Sequence, residues 1–220
     1  MIVKKKNPLL SSQSFNEDST ISYLFTSLDS GNYNFDIAEG CSVELTIIDL
    51  SLKAFNLALS FNVGKGAELK VNIASFLYGE DDKKFDVYVE HTGEKSSSLV
   101  KFAGVNSSKG KLTFIGTSKI PNGIRKVETR QEGRINNLVE GAKSEVSPVL
   151  LIKENDVKAS HGAALGAYNP DVIFYLQSRG LTLEESKKLI IMGTLLPLIN
   201  RLQDEKLIDE VNTFFKEKEI

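Results

Sequence analysis

The stretches "GCSVELTI" (residues 40–47) and "GAELKVNI" (residues 66–73) indicate the fold more directly than any other part of the chain. Each begins with glycine and carries apolar residues three, five and seven places later, and the copies start 26 residues apart. This spacing is typical of one coil of a β-solenoid, with glycine at the corner and alternate residues pointing inward. Two good copies leave an ordinary β-sandwich with similar turns open as an alternative.

Other stretches from about residue 40 onward alternate apolar and polar residues, as strands with one buried face do. "KFDVYVEH" (84–91) shows the pattern clearly and "KLTFIGTS" (111–118) shows it more weakly. In "AFNLALSFNV" (54–63) one face carries Phe55, Leu57, Leu59, Phe61 and Val63. Such runs recur every 12 to 16 residues, and we therefore expect a mainly β core.

Composition limits the classes of function that need to be considered. The 220 residues include 27 basic and 29 acidic side chains, and a net charge of −2 gives no indication of a nucleic-acid partner. No segment reaches the roughly 18 apolar residues of a membrane span, and the start lacks a secretory apolar region. We expect a cytoplasmic protein with no membrane partner. Cys41 is the only cysteine, which excludes an intramolecular disulfide.

The pattern changes at "YNPDVIFYLQSRG" (168–180), where the start and stop signals of a helix occur together. Asn169 can cap a helix whose first residue is Pro170, and Asp171 suits the positive helix end. Gly180 can close the helix in the left-handed conformation. The sequence therefore predicts a short helix between Asn169 and Gly180.

Two further helices are predicted after this one. Thr182 and Glu185 have capping-box spacing, and Pro197 should end or kink the helix that they open. The tail "DEKLIDEVNTFFKEKEI" (204–220) has apolar residues at helical spacing, namely Leu207, Ile208, Val211, Phe214 and Phe215. We expect a β-solenoid core over residues 1–168, followed by a helical segment over residues 169–220.

Alternation through "VKASHGAAL" (157–165) places His161 on the apolar face of a strand, beside Ala159 and Ala163. One interpretation is a neutral, buried histidine with a single hydrogen bond. The other is a residue that binds metal or handles sulfur, because the small neighbours leave access to the ring. The spacing alone leaves both interpretations open.

Neither His91 nor Cys41 gives a stronger indication of chemistry. His91 lies where a strand meets a turn, so we expect it to face solvent, and nothing in the spacing pairs it with His161. Cys41 follows Gly40 at a strand entry, where a small corner residue is expected. A nucleophilic cysteine–histidine pair would need a third group, and the sequence indicates none.

A basic stretch around "RQEGR" (130–134), together with Arg125 and Lys126, could bind an anion. Glu128 and Glu132 are interspersed with these cations, so a solvated strand face is the simpler interpretation.

The run "NDVKASHGAALGAYNPDVIFYLQSRGLTLEESKKLIIMG" (155–193) resembles the C-terminal part of the SufB/SufD family of iron–sulfur cluster assembly proteins. The resemblance includes "SHGA" (160–163), "FYLQSRG" (174–180) and the acidic capped helix that follows. It implies a β-helix core with C-terminal helices that dock a SufC-type ATPase. Family members usually carry an N-terminal extension with helical content, whereas this chain begins almost directly with strands.

The resemblance also implies roles for particular residues. In SufD-like members the histidine of "SHGA", here His161, has been linked to cluster assembly and becomes the candidate metal or cluster residue. Gly162 stands where SufB-like members have glutamate, so the chain is closer to SufD. Phe174, Tyr175 and Arg179 are aromatic and guanidinium anchors for the ATPase, residue types that are enriched at binding hot spots.

The function expected from the resemblance is that of a non-enzymatic subunit, paired with a SufB-like partner or with itself as a dimer. No cofactor should be bound stably by this chain alone, although an iron–sulfur cluster could form transiently at a subunit interface. The alternatives are a degenerate β-solenoid with only a binding or structural role, and a β-helix enzyme that acts on polysaccharide.

Overall fold

The computed structural model describes residues 1–167 and 169–218 and contains, within those ranges, thirteen strands, three α-helices and a 3₁₀ turn. Residue 168, at the expected boundary between core and helices, and residues 219 and 220, in the expected tail helix, lie outside the described residues. The strands are β1 (Ile2–Lys6), β2 (Gln13–Phe15), β3 (Ser19–Phe25), β4 (Gly31–Ile37), β5 (Ser42–Asp49), β6 (Phe55–Val63), β7 (Glu68–Leu77), β8 (Lys83–His91), β9 (Ser97–Asn106), β10 (Lys111–Ile120), β11 (Val127–Asn137), β12 (Lys143–Ile152) and β13 (Val157–Ala167).

The described strands form two parallel sheets that the chain visits alternately. The odd-numbered strands make a seven-stranded sheet in the order β1-β3-β5-β7-β9-β11-β13, and the even-numbered strands make a six-stranded sheet in the order β12-β10-β8-β6-β4-β2. Consecutive coils therefore stack on one another, as in a β-solenoid. The solenoid prediction is confirmed and the sandwich alternative is wrong, because sandwich sheets are antiparallel.

In four coils the chain turns a corner at a residue with positive φ, one or two positions before the odd-numbered strand begins. Gly40 (φ 73°) and Gly66 (φ 65°) occupy this corner in the two copies that the sequence showed. Lys95 (φ 59°) and Lys126 (φ 58°) occupy the same corner in the next two coils. Each corner N–H donates to a carbonyl of the following coil: Gly40 to Lys65, Gly66 to Glu94, Lys95 to Arg125, and Lys126 to Asp156.

The solenoid widens along the chain. Ile2 pairs with Thr20, 18 residues on, whereas Val127 pairs with Val157, 30 residues on. The strands lengthen together with the coils, from five residues in β1 and three in β2 to ten in β12 and eleven in β13. The C-terminal end is therefore the wide end, and the changing coil length explains why only two copies align in the sequence.

The interior is filled by the inward-facing rows of both sheets. Aromatic rings stack within one sheet and between the sheets: the centroids are 5.0 Å apart for Phe35 and Phe61 of neighbouring strands β4 and β6, and 4.5 Å apart for Phe102 of β9 and Phe114 of the facing strand β10. The apolar face predicted for β6, from Phe55 to Val63, is buried as expected. This interior, rather than any single strand pair, stabilises the solenoid through burial of apolar area.

A buried ion pair lies at the corner where the odd-numbered strands end and the even-numbered strands begin. It was not predicted from the sequence pattern. Lys83 Nζ is 2.7 Å from Asp49 Oδ2, and both side chains are fully buried. Asp49 also accepts hydrogen bonds from Ser75 Oγ and from the backbone N–H of Ser51, while Lys83 donates to the Phe76 carbonyl. Because each charge is hydrogen-bonded as well as paired, this network can exist inside the protein.

The C-terminal segment forms α1 (Pro170–Ser178), α2 (Leu183–Ile199), a 3₁₀ turn (Asn200–Leu202) and α3 (Glu205–Glu217). The predicted caps are confirmed: Asn169 accepts from the Asp171 N–H, and Thr182 and Glu185 form the capping box. Pro197, however, lies inside α2, which continues to Ile199. The helix ends two residues after Pro197, where the 3₁₀ turn begins, so the end predicted at Pro197 is displaced by two residues.

The helices pack against the outside of the seven-stranded sheet. Side chains at the ends of β5, β7 and β9, including Ile48, Phe76 and Val105, form a second apolar cluster with α2 and α3. From α3 this cluster takes Leu207, Val211 and Phe215, which are buried as the helical spacing predicted. The helical segment thus shares an apolar layer with the solenoid.

Candidate functional site: the wide end of the solenoid

The wide end of the solenoid is open. Among the described residues, β13 is hydrogen-bonded only to β11, and β12 only to β10, so each presents a free edge. No later coil covers the interior side of these strands, and Leu165, on the inward row of β13, is 51% exposed. Pro148 in β12 fits this position, because proline is tolerated in edge strands. A free edge of this length favours pairing with another strand.

His161 lies in the middle of this free strand. It is in register with Gln131 of β11, and Gln131 is fully buried on the inward row. The alternation predicted for β13 is therefore correct, because His161 continues an interior row. The ring is nevertheless exposed, since the interior row of the last coil has nothing stacked upon it. The interpretation of His161 as a packed core ring is wrong for this chain.

His91 is fully buried, which contradicts the expectation that it faces solvent. It continues the inward row of Phe85, Val87 and Val89, and the next coil covers it. Its Nδ1 lies 2.8 Å from Ser96 Oγ and its Nε2 lies 3.0 Å from Ser98 Oγ. Loss of hydration on burial lowers the pKa of His91 to about 4. His91 is therefore neutral at pH 7.

A column of buried polar groups runs from His91 towards the wide end. Ser98 Oγ lies 2.7 Å from Thr129 Oγ1, which lies 3.0 Å from Ser118 Oγ. Ser118 Oγ is in turn 2.6 Å from the side-chain amide of Gln131, whose oxygen accepts from it and whose nitrogen donates to the Gly116 carbonyl. Gln131 is the register partner of His161, so the column ends one strand below the exposed histidine. This column could not be predicted from the sequence, because its members come from four different strands.

Cys41 and His161 do not form a pair. Cys41 is a buried corner residue that precedes β5, as expected. In the seven-stranded sheet β5 is four strands away from β13, which corresponds to about 19 Å at the usual strand spacing. Within the described residues there is no group of three or more His, Cys, Asp or Glu side chains that could hold a metal ion.

The short helix α1 exposes the three residues that were proposed as anchors. Phe174 is 74% exposed and Tyr175 is 55% exposed, while Ile173 is the buried residue of α1. The Arg179 guanidinium lies over the Tyr175 ring, 5.2 Å from its centroid, which is a cation–π geometry. Neither aromatic ring is used to cover the solenoid, so both are accessible to a partner.

The basic stretch is on the outer face of β11, as the simpler interpretation required. Arg130 and Glu132 are joined by a 2.5 Å ion pair, and Glu128 pairs with Lys158 of β13. The acidic side chains on this face are thus interspersed with cations. A polysaccharide-cleaving solenoid needs an uninterrupted row of acidic or basic groups along one face, whereas Glu128 and Glu132 interrupt the cations on this face.

Fold and site together define the class of this protein: a widening parallel β-solenoid whose last described strand has one free edge and is followed by capped helices. The family model for the SufBD core domain of SUF-system FeS cluster assembly matches residues 25–194. The chain belongs to this SufB/SufD family and is closer to SufD. The match begins far upstream of the stretch that carried the resemblance in the sequence.

Individual relatives support the same assignment. The chain is 37% identical over 127 residues to the iron–sulfur cluster assembly protein SufD of Bacillus subtilis, an alignment that covers 58% of this chain and 29% of that protein. It is 29% identical over 150 residues to SufD of Escherichia coli, covering 67% and 35% of the two chains. An iron–sulfur cluster assembly SufBD family protein of Pyrococcus horikoshii is 28% identical over 128 residues, covering 56% and 29%. The chain spans about a third of the length of these relatives.

No helix among the described residues is long and apolar enough to cross a membrane.

Proposed function

We propose that this protein is a non-enzymatic, SufD-like subunit of a cytoplasmic iron–sulfur cluster assembly complex. Its wide end pairs with a SufB-like subunit or with a second copy, and its helical segment docks a SufC-type ATPase. The observation that carries this proposal is the open wide end, where two long strands have free edges and the last interior row has no cover. Family membership supplies the assembly context.

Pairing at the wide end places His161 at a subunit interface. The described part of the chain offers no cluster of metal ligands, so the iron–sulfur cluster is a transient substrate of the complex rather than a resident group. His161 contributes an imidazole ligand to that substrate, and thiolate or carboxylate ligands come from the partner subunit. This arrangement explains why an interior-row histidine is exposed in the single chain.

Docking of the ATPase uses the surface formed by Phe174, Tyr175 and Arg179. Each ring gives a large contact area with only two side-chain torsions, and Arg179 is already held over Tyr175, so little side-chain entropy is lost on binding. ATP binding to the docked subunit would then act on the helical segment, which shares an apolar layer with the solenoid.

Light scattering on a size-exclusion column tests pairing, using this chain alone and mixed with a SufB-like subunit from the same source. We expect a stable dimer that Leu165→Lys abolishes, because the new charge lies on the row that pairing must cover. Leu9→Lys is the matched control, since Leu9 is 95% exposed at the narrow end. A monomer under all conditions, or equal loss of pairing in both variants, would contradict the proposed interface.

Docking is tested by the affinity for a SufC-type ATPase from the same source. Phe174→Ser should weaken binding at least tenfold, the effect expected of a hot-spot residue. Leu52→Ser changes an exposed apolar residue of the solenoid and should leave the affinity unaltered. Equal affinities for wild type and Phe174→Ser would assign the docking surface elsewhere.

The role of His161 is tested separately, by cluster formation in the assembled complex. His161→Ala should leave the complex intact and reduce its output of iron–sulfur clusters. An intact complex with normal output would leave the chain with a docking role alone, as the degenerate alternative requires.

A further inference from the structure

A groove of about 510 Å³ lies on the outer face of the solenoid, on the opposite side of β13 from the interior row. Its floor is formed by β9, β11 and β13, mainly through their outward-facing residues, and one wall is the C-terminal half of α2. This volume lies within the range of sites for small molecules. The groove borders the open wide end, since Gly162, Ala163 and Ala164 of β13 line it, and it does not include the exposed aromatic residues of α1.

The groove is strongly cationic. Lys101, Arg130, Arg134 and Arg201 line it, and Glu132 is the single carboxylate in the lining, which gives a net charge of +3. Glu132 is shared, because its two oxygens lie 2.5 Å from Arg130 Nε and 3.5 Å from Lys101 Nζ. One carboxylate therefore pairs with two of the four cations, and the lining itself does not neutralise the rest of the positive charge.

The remaining two arginines differ in their partners. Arg201 lies 3.6 Å from Glu44, which is outside the lining. Within the described part of the chain, Arg134 has no carboxylate within ion-pair distance. A guanidinium group held beside other cations without a counter-charge is the feature that an anionic ligand would satisfy.

Strand β13 forms the open side of the groove and carries only small residues there. Gly162 is in register with Glu132, and Ala164 is in register with Arg134. A Cβ atom at Gly162 would meet nothing within 4 Å, so this side is open to a ligand. The facing wall is apolar at Pro197 and Leu198. The groove thus combines an anion site with a hydrophobic surface.

We propose that this groove binds a small organic phosphate, with the phosphate on Arg134 and Arg130 and the apolar portion against Pro197 and Leu198. Arginine forks match phosphate oxygens through paired hydrogen bonds. A phosphate monoester carries close to two negative charges at pH 7 and matches the unbalanced cations better than a single carboxylate does. The inference rests on the groove alone and does not require the proposed function.

Isothermal titration calorimetry of the 220-residue chain with phenyl phosphate tests the proposal. We expect saturable binding of one equivalent, weaker binding of inorganic phosphate, which lacks the apolar part, and weaker binding of benzenesulfonate, which carries one charge. Arg134→Gln should weaken phenyl phosphate binding at least tenfold. Lys158→Gln should leave it unchanged, because Lys158 is an exposed cation on the same face of β13 but outside the groove.

Circular dichroism establishes that Arg134→Gln is folded, and Arg130→Gln replaces it if it is not. The proposal is overturned if phenyl phosphate shows no saturation at millimolar concentration, or if Lys158→Gln weakens binding as much as Arg134→Gln. Tighter binding of an oligoglutamate peptide than of phenyl phosphate would also overturn it, because the groove would then be a site for an acidic segment of a protein.

Discussion

The corner at Gly66 gives the sharpest test of how the sequence specifies the solenoid. Gly66 has φ 65°, and a Cβ atom added there would meet nothing within 4 Å. Gly66→Ala therefore creates no clash, and its whole effect is the cost of a left-handed backbone for an L-residue, about 1–2 kcal/mol. The less flexible unfolded chain offsets roughly half of this. A net loss of about 1 kcal/mol should lower the midpoint of thermal unfolding by about 2–4 °C in a chain of this length.

Differential scanning calorimetry measures this change, and Gly193→Ala is the matched control. Gly193 lies inside α2, its added Cβ would also meet nothing within 4 Å, and its φ is not positive. Alanine there should raise stability by about 0.5–1 kcal/mol, because glycine is a poor helix former. Opposite signs for the two variants support the corner argument. An unchanged midpoint for Gly66→Ala would refute the view that the corner requires a left-handed residue.

Three further predictions concern buried charge, pH and the helical segment. Lys83→Met leaves Asp49 buried without its counter-charge, so chemical denaturation should show a loss of about 3–5 kcal/mol, and a loss below 1 kcal/mol would contradict the pairing. The pKa of His91 is about 4 in the folded chain, against 6.5 for an ordinary histidine, so on acidification the unfolded chain binds a proton first. The folded state should therefore lose stability as the pH falls from 6.5 to 4. Urea titrations should show that the free energy of unfolding falls by up to about 3 kcal/mol over this pH range. The fall should persist in His161→Ala and vanish in His91→Gln. Removing residues 171–220 should retain the β-sheet circular dichroism while exposing Ile48, Phe76 and Val105 to a hydrophobic dye; loss of the β signal would show that the core needs the helices.

The fold was predictable where a local rule acts alone. Helix caps at Asn169 and Thr182 depend on neighbouring residues only, and both were predicted correctly. The corner repeat was visible at Gly40 and Gly66 because glycine marks a positive φ, but Lys95 and Lys126 adopt the same conformation without that mark. The four strands before residue 40 were not located individually, although strands were expected there, because their coils are short and their alternation is brief.

The site was predictable in part, because the exposure of a residue in a solenoid depends on whether a following coil covers it. The face of His161 followed from alternation, whereas its exposure follows from the absence of a covering coil among the described residues. His91 could have been placed correctly, since it shares the parity of Phe85, Val87 and Val89. The polar column and the Asp49–Lys83 pair join residues from different coils, and a pattern read along one strand cannot reveal them.

The unequal ends of the solenoid have a consequence for self-association. Head-to-tail stacking of identical copies would set β13, with eleven residues, against β1, with five, and β12, with ten, against β2, with three. At least six residues of β13 and at least seven residues of β12 would then have no backbone partner. Only an arrangement that joins two equal ends is free of this mismatch, and such an arrangement closes after two molecules. The taper therefore acts against the growth of open filaments, to which a solenoid of constant width with bare edges would be prone.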